Sequence, residues 1–446
     1  MLAELGAEYG TPLFVVDEGH IRARLEAFRE AFGDRTVLVY AGKAFLCGAL
    51  VHLLDEAGWW VDAVSAGEVE LVLRAGLDPS RVLLHGNAKP RAEIETAVRA
   101  GVARVVVDHP AEIRTIAAVA AKRGSGGSPA MRGDPHVLLR LNADVAAVTH
   151  EKVKTTGVAA QFGMTVDIAA EAAAIVASTP RVQLAGVHIH VGSQIGDLDT
   201  FRRAAEAAVD FVAPIRPLFG ACVDMDLGGG LAAPYLSGDP APRPADFAAA
   251  VLGGLENAEA ERRVGPFRLL VEPGRSVVAN AGITLYRVEA RKRLPDGGDV
   301  LGVDGGLSDN PRPSLYGQRY EVLPVSRPVA GSGIPFRVVG RHCETGDLIS
   351  SCARLPEETD VGDIVAVAAT GAYAYSMSSR YNGLPRPPVL FVDAGDARVV
   401  VRRETIEDLF ACDAALSGGA TAQSSRSRTS TLLSNQPSGS NLSSSA

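Results

Sequence analysis

The stretch Val37-Leu-Val-Tyr-Ala-Gly-Lys43 runs through apolar and small residues straight into a lysine. A short continuous apolar run bounded by turn residues is the pattern of a strand buried on both faces. Outward from it the pattern repeats. Further β-rich runs lie at Trp59–Ser65, Arg81–Asn87, Arg104–His109, His136–Asn142, Leu184–Ser193, Asp224–Gly230 and Arg268–Arg275, which makes eight with the first. Ala-rich amphipathic stretches separate most of them: Lys89–Ala100, Pro110–Arg123, Val166–Ser178 and Thr200–Val212. Eight strands alternating with helices over roughly 250 residues is the count of a (β/α)8 barrel. The reading is an α/β chain whose barrel spans residues 31–281.

From about Gly282 the texture changes. Helical patterns become rare, Gly and Pro punctuate the chain, and Ile283–Ala290, Phe336–Val339, Ile364–Ala368, Pro388–Val392 and Ala397–Val401 read as strands. Residues 282–411 are therefore expected to form a β-rich sandwich-like or barrel-like domain. Residues 1–30 are a lead-in whose Pro12–Val16 run supplies that domain with an extra strand. The Ser-rich end, 412–446, has too little apolar area to offset chain entropy and is expected to be disordered. A second flexible stretch is expected at Gly124–Ser128.

Bulk properties narrow the class. The net charge of −8 and the lack of a polybasic run argue against a nucleic-acid partner. The acidic start, Met1 to Glu8, is not a secretory signal, and no apolar run is long enough to span a membrane. The five cysteines are scattered and odd in number, with no metal-ligand spacing, so the cytoplasm is the expected setting and no metal is expected. Cys47, Cys222, Cys352 and Cys412 read as structural, and the Trp59-Trp60 pair as packing.

In such a barrel, catalytic groups sit at the carboxyl ends of the strands. Here those ends carry Lys43, His190-Val-Gly-Ser-Gln194, Gly228-Gly-Gly230 and Glu272-Pro-Gly-Arg275. Taken singly, the glycine triplet is an ordinary turn and Glu-Pro-Gly-Arg a turn with a salt bridge. Taken together, they suit one cofactor. A lysine amine condenses with an aldehyde. Consecutive glycines let backbone N–H groups approach a phosphate, with Ser193 and Arg275 as further donors. Glu272 can keep a pyridine nitrogen protonated, and His190 can stack on the ring. That combination describes pyridoxal 5'-phosphate. His188 and His190 are read as alternating on their strand and facing opposite sides, with His188 the structural one.

Tyr40-Ala-Gly-Lys-Ala44, His188-Ile-His-Val-Gly-Ser-Gln194, Asp226-Leu-Gly-Gly-Gly230 and Glu272-Pro-Gly-Arg275 resemble the motifs of the alanine-racemase-like pyridoxal-phosphate enzymes, which pair a barrel with a β domain. Three later motifs are similar to those of the diaminopimelate decarboxylases within that group: Asp304-Gly-Gly-Leu-Ser-Asp-Asn-Pro-Arg-Pro-Ser-Leu-Tyr-Gly317, His342-Cys-Glu-Thr-Gly-Asp347 and Gly371-Ala-Tyr-Ala-Tyr-Ser-Met-Ser-Ser-Arg-Tyr-Asn382. The resemblance covers about residues 9–411. It implies that Lys43 carries the cofactor, that Ser193, Gly229, Gly230, Gly274 and Arg275 hold its phosphate end, that Glu272 faces its ring nitrogen and that His190 faces its ring. It implies Arg275, Arg312, Tyr316, Glu344 and Tyr373 as substrate-binding residues, with Tyr373 also touching the cofactor. Cys343 is implied as the proton donor, reaching the site with Glu344 from the partner subunit of a homodimer. The implied reaction is decarboxylation of meso-2,6-diaminopimelate to L-lysine. Other readings are a decarboxylase of the same fold acting on another diamino acid and a cofactor-binding protein without catalysis. Gln161, before Phe162-Gly163, stands where this family usually has lysine, and the segment before it is shortened.

Overall fold

A computed structural model describes residues 1–122, 133–142, 161–295, 297–327 and 333–416. The expected flexible stretch at 124–128 and nearly all of the Ser-rich end lie outside these residues.

The eight expected strands are present: Thr36–Ala41, Trp60–Ala63, Val82–Leu84, Arg104–Val107, His136–Arg140, Gln183–His188, Val223–Asp226 and Phe267–Val271. Each pairs in parallel with the next, and the first also pairs with the last through Val37↔Leu270 and Leu38↔Val271, so the barrel is closed. The two-residue period of a strand sorts its side chains. Val39 points inward to a small cluster with Leu83, Val106, Leu138 and Leu270, while Leu38 and Tyr40 point outward into the layer packed by the helices. Trp59 belongs to that outer layer and meets the edge of Phe28 at 6.0 Å.

The strands stop earlier than the apolar runs suggested. The first ends at Ala41, and Lys43 sits in the single 3-10 turn Gly42–Ala44 that follows. His190, the glycine triplet and Glu272 likewise lie just past their strands. The Gly and Pro residues in these motifs suit the turns that follow the hydrogen-bonded ladder.

The second unit is a nine-stranded mixed sheet. Its long strand Gly282–Arg293 is central, and the early strand Leu13–Asp17 pairs with it antiparallel and with Val389–Asp393 in parallel. The expected contribution of the N-terminal run is thus present, though the preceding helix Leu2–Tyr9 was not anticipated. Three strands escaped the apolar-run criterion: Asp299–Val303, Val322–Pro324 and Leu348–Leu355. The last reads Leu-Ile-Ser-Ser-Cys-Ala-Arg-Leu and is largely polar on its exposed positions.

No helix of the described residues is long and apolar enough to cross a membrane. All five cysteines are free, but only Cys47 is buried, where burial pushes its thiol up to about 11. Cys222, Cys352 and Cys412 are exposed, which corrects their reading as structural residues.

Candidate active site

Lys43, His190, Ser193, Gly230, Glu272, Gly274, Arg275, Arg312, Tyr316 and Tyr373 line one cavity of about 170 Å³, joined by Ala41 and Met377. It opens at the carboxyl ends of the strands. A larger cavity, about 510 Å³, lies at the opposite end of the barrel beside Arg104, His136, Asp224 and Arg268 and contains none of the predicted residues.

Lys43 comes from the first strand end. Burial depresses its amine, but Asp62 and behind it Tyr373 and Glu272 outweigh burial and hold it above its usual range. Asp62 is fully buried at the end of the second strand.

Glu272 lies at the centre of a buried polar group that sequence reasoning did not assemble. Its Oε1 is 2.7 Å from His85 Nε2, and its Oε2 is 3.5 Å from His188 Nε2. The imidazoles of His85 and His188 meet edge to face at 4.9 Å. With Asp226, these residues bring one polar atom each to within 4.8 Å of one another. Burial pushes the Glu272 carboxyl up, but His85 and then His188 outweigh it, so Glu272 is held well below the usual carboxylate range. Asp226 goes the other way: burial, and then Glu272, push it well above. The two carboxyls are thus pushed in opposite directions, as happens when two acids share a dry site.

The two histidines of the His-Ile-His motif are corrected by this geometry. Residues i and i+2 of an extended chain share a face. His188 and His190 therefore face the same side, with His190 lining the cavity and His188 lying against Glu272. Burial drives His188 down to about 3 and His190 well below its ordinary value, with Lys43 the next cause at His190, so both are neutral. His190 Nδ1 accepts the Gly229 N–H at 3.3 Å, which places the ring proton on Nε2.

The glycine triplet has a steric reason beyond access to a phosphate. A Cβ on Gly229 would lie 2.0 Å from the Glu272 carbonyl oxygen, and one on Gly230 would lie 2.2 Å from that of Gly192. Neighbouring loops close over the barrel mouth only because these side chains are absent. Arg275 donates through Nη2 to Ser193 Oγ at 2.9 Å and through Nη1 to the Tyr235 hydroxyl, and its guanidinium lies 4.6 Å from the Tyr373 ring centre. Tyr235 was not expected.

Arg312 opens the short helix Arg312–Tyr316, is only 4% exposed, and sits between the rings of Tyr316 and Tyr373 at 5.1 and 5.5 Å. Its Nε has no hydrogen-bond partner. Cys343 and Glu344 do not line the cavity; both are exposed, and the Cys343 N–H donates to Asn382 Oδ1 at 3.1 Å. Gln161 is exposed, and the segment 143–160 before it lies outside the described residues.

The residues fit pyridoxal phosphate. Glu272 Oε1 is buried near His85 without the alignment of a hydrogen bond, which leaves an ionised acceptor for a ring N–H. Arg275 and Ser193 would offer a donor pair to a phosphate, and Lys43 would offer the amine.

Comparison with known proteins agrees. Residues 18–279 match the pyridoxal binding domain of the pyridoxal-dependent decarboxylases. A diaminopimelate decarboxylase from Mycobacterium tuberculosis is 41% identical over 92% of this chain and 93% of its own. One from Actinosynnema pretiosum is 44% identical over 91% and 89%. A diaminopimelate decarboxylase from Helicobacter pylori, solved with L-lysine, superposes with a TM-score of 0.83 over 92% of this chain and 98% of that one, at 28% identity. By sequence, by fold and by the contents of its barrel mouth, the chain belongs to the diaminopimelate decarboxylase family of pyridoxal-dependent carboxy-lyases.

Proposed function

We propose that the cavity converts meso-2,6-diaminopimelate to L-lysine and CO2, with Lys43, Glu272 and Arg312 as the residues on which chemistry and selectivity turn. The observation that carries the choice of substrate is Arg312, a buried guanidinium with an unpaired Nε in the same cavity as Lys43. Meso-diaminopimelate has a second carboxylate to pair with it. Ornithine and lysine do not, and they leave the guanidinium unsatisfied, the kind of mismatch that discriminates strongly between analogues. The Helicobacter pylori relative was solved with L-lysine, the product of the proposed reaction.

Bound pyridoxal phosphate supplies the electron sink that makes loss of CO2 feasible. The protein residues divide the rest. Lys43 would hold the cofactor through its side-chain amine. Ser193, Arg275 and the backbone at Gly229, Gly230 and Gly274 would hold its phosphate. Glu272 would keep a proton on the ring nitrogen, with His85 the strongest influence that favours its ionised form. His190, neutral and fixed by the Gly229 N–H, would face the ring. Tyr373 closes the cavity over Arg275 and Arg312, and Tyr316 joins Arg312 at the distal carboxylate. Cys343 of a second copy in a homodimer would be the proton donor, and Glu344 of the same copy would meet the distal ammonium. The exposure of both residues leaves them available to a partner. The reducing cytoplasm keeps that thiol free.

The test is incubation with meso-diaminopimelate and pyridoxal phosphate, with lysine and CO2 measured beside a Lys43→Ala control. Steady-state rates on diaminopimelate, ornithine, lysine and arginine follow. A rate on lysine above that on diaminopimelate overturns the substrate assignment. Borohydride reduction that leaves residue 43 unlabelled in a peptide map overturns the site.

A further inference from the structure

Two segments of the β domain serve different active sites in the reading above. Arg312 faces its own chain's cavity, while the loop His342–Asp347 presents Cys343 to the partner's. Within one chain these segments are fastened to each other. Asp347 is only 5% exposed. Its Oδ1 accepts the Leu307 N–H at 2.7 Å, in the turn that leads to Arg312. Its Oδ2 accepts the His342 N–H at 2.8 Å and lies 2.7 Å from His342 Nδ1, next to Cys343.

Further bonds run beside this carboxylate. The Arg341 N–H donates to the Gly305 carbonyl at 3.1 Å, and Ser314 Oγ donates to the Gly346 carbonyl at 2.5 Å. The packing leaves no slack: a Cβ on Gly306 or Gly340 would lie 2.4 or 2.1 Å from an Asp347 carboxylate oxygen. The His342 ring is held from its other side by Tyr381, stacked at 5.8 Å.

We propose that Asp347 is a positioning residue for two active sites at once. One oxygen fixes the segment that brings Arg312 to its own cavity. The other fixes the loop that carries Cys343 to the neighbouring one. This rests on the proposed action of Cys343 across a dimer interface.

Hybrid dimers test it. Lys43→Ala and Cys343→Ala chains are purified and mixed with cofactor. Each hybrid has a single working site, with Lys43 and Arg312 from the Cys343→Ala chain and Cys343 from the Lys43→Ala chain. Asp347→Asn is then placed on one chain or the other. On the chain that donates Cys343, kcat falls by ~10- to 100-fold with little change in KM, the scale of a misplaced reacting group. On the chain that supplies Arg312, KM for diaminopimelate rises by ~10-fold or more.

His342→Asn removes the ring contact alone. It should lower kcat from the Cys343-donating chain only, and it carries the test if Asp347→Asn chains do not fold. Effects that do not depend on placement, or a His342→Asn hybrid with unchanged kcat, overturn the proposal for Asp347 while leaving the shared site intact. Failure of mixing to restore any activity overturns the shared site, and the two-site role falls with it.

Discussion

Replacing Arg312 with methionine separates recognition from folding. The guanidinium is buried between Tyr316 and Tyr373, and its Nε has no protein partner. In the proposed substrate complex it would complete a buried ion pair with the distal carboxylate of diaminopimelate, and removing one member of such a pair costs about 3–5 kcal/mol. Tyr316 and Glu344 still hold part of the distal group, so the lower end of that range applies. At ~1.4 kcal/mol per tenfold, kcat/KM on diaminopimelate falls by ~10²–10³. The free protein behaves differently. Loss of an unsatisfied buried donor returns about 1–3 kcal/mol, and loss of the ring contacts removes about 1–2 kcal/mol. These cancel, and Tm moves by no more than ~3 °C. Lysine has no distal carboxylate, so its slow decarboxylation changes by less than ~10-fold, and selectivity collapses from one side only. The assay is CO2 release on both substrates beside a thermal melt. Equal losses on the two substrates, or a Tm lowered by ~10 °C, would show Arg312 to be a packing residue and refute the reasoning.

His85→Asn removes the strongest influence holding Glu272 ionised, so the acid limb of the kcat/KM profile moves to higher pH; an unmoved limb means His85 does not control that carboxyl. Gly229→Ala forces a Cβ to within 2.0 Å of the Glu272 carbonyl and costs ~3 kcal/mol or more in chemical denaturation, together with cofactor retention. Gly48→Ala, with open space around its Cβ, is the matched control and leaves both within experimental error. Asp309 is fully buried against Tyr286, and burial raises its carboxyl to about 6. A raised folded value gives stability that is complete below the unfolded pKa, near 4, and lost as pH rises to about 6. The stability of the wild type relative to Asp309→Asn therefore falls over that window, by up to ~3 kcal/mol. A difference that stays flat from pH 4 to 7 contradicts the assignment.

The barrel was legible because its strands are buried on both faces, so each is an apolar run independent of its neighbours. The β domain was less so: Leu348–Leu355 is half exposed, and its Ser-Ser-Cys segment has no apolar signature. The site divides along a similar line. Lys43, Glu272 and Arg275 sit in motifs that announce themselves locally. His85 and Asp62 have no such motif, and they meet Glu272 and Asp226 only when the second, third and seventh strand ends are brought around one axis. The carboxyl-end rule applied to all eight strands, rather than to the four with conspicuous motifs, would have gathered them. His188 shows the same thing at the scale of two residues. Its placement follows from the period of an extended chain, which puts residues 188 and 190 on one face, and its chemistry follows from Glu272, more than eighty residues away. A carboxylate that must stay ionised in a dry barrel needs neighbours that keep it so. In the proposed reaction the environment of Glu272 would therefore matter as much as Glu272 itself, and that environment belongs to the fold, not to any single segment.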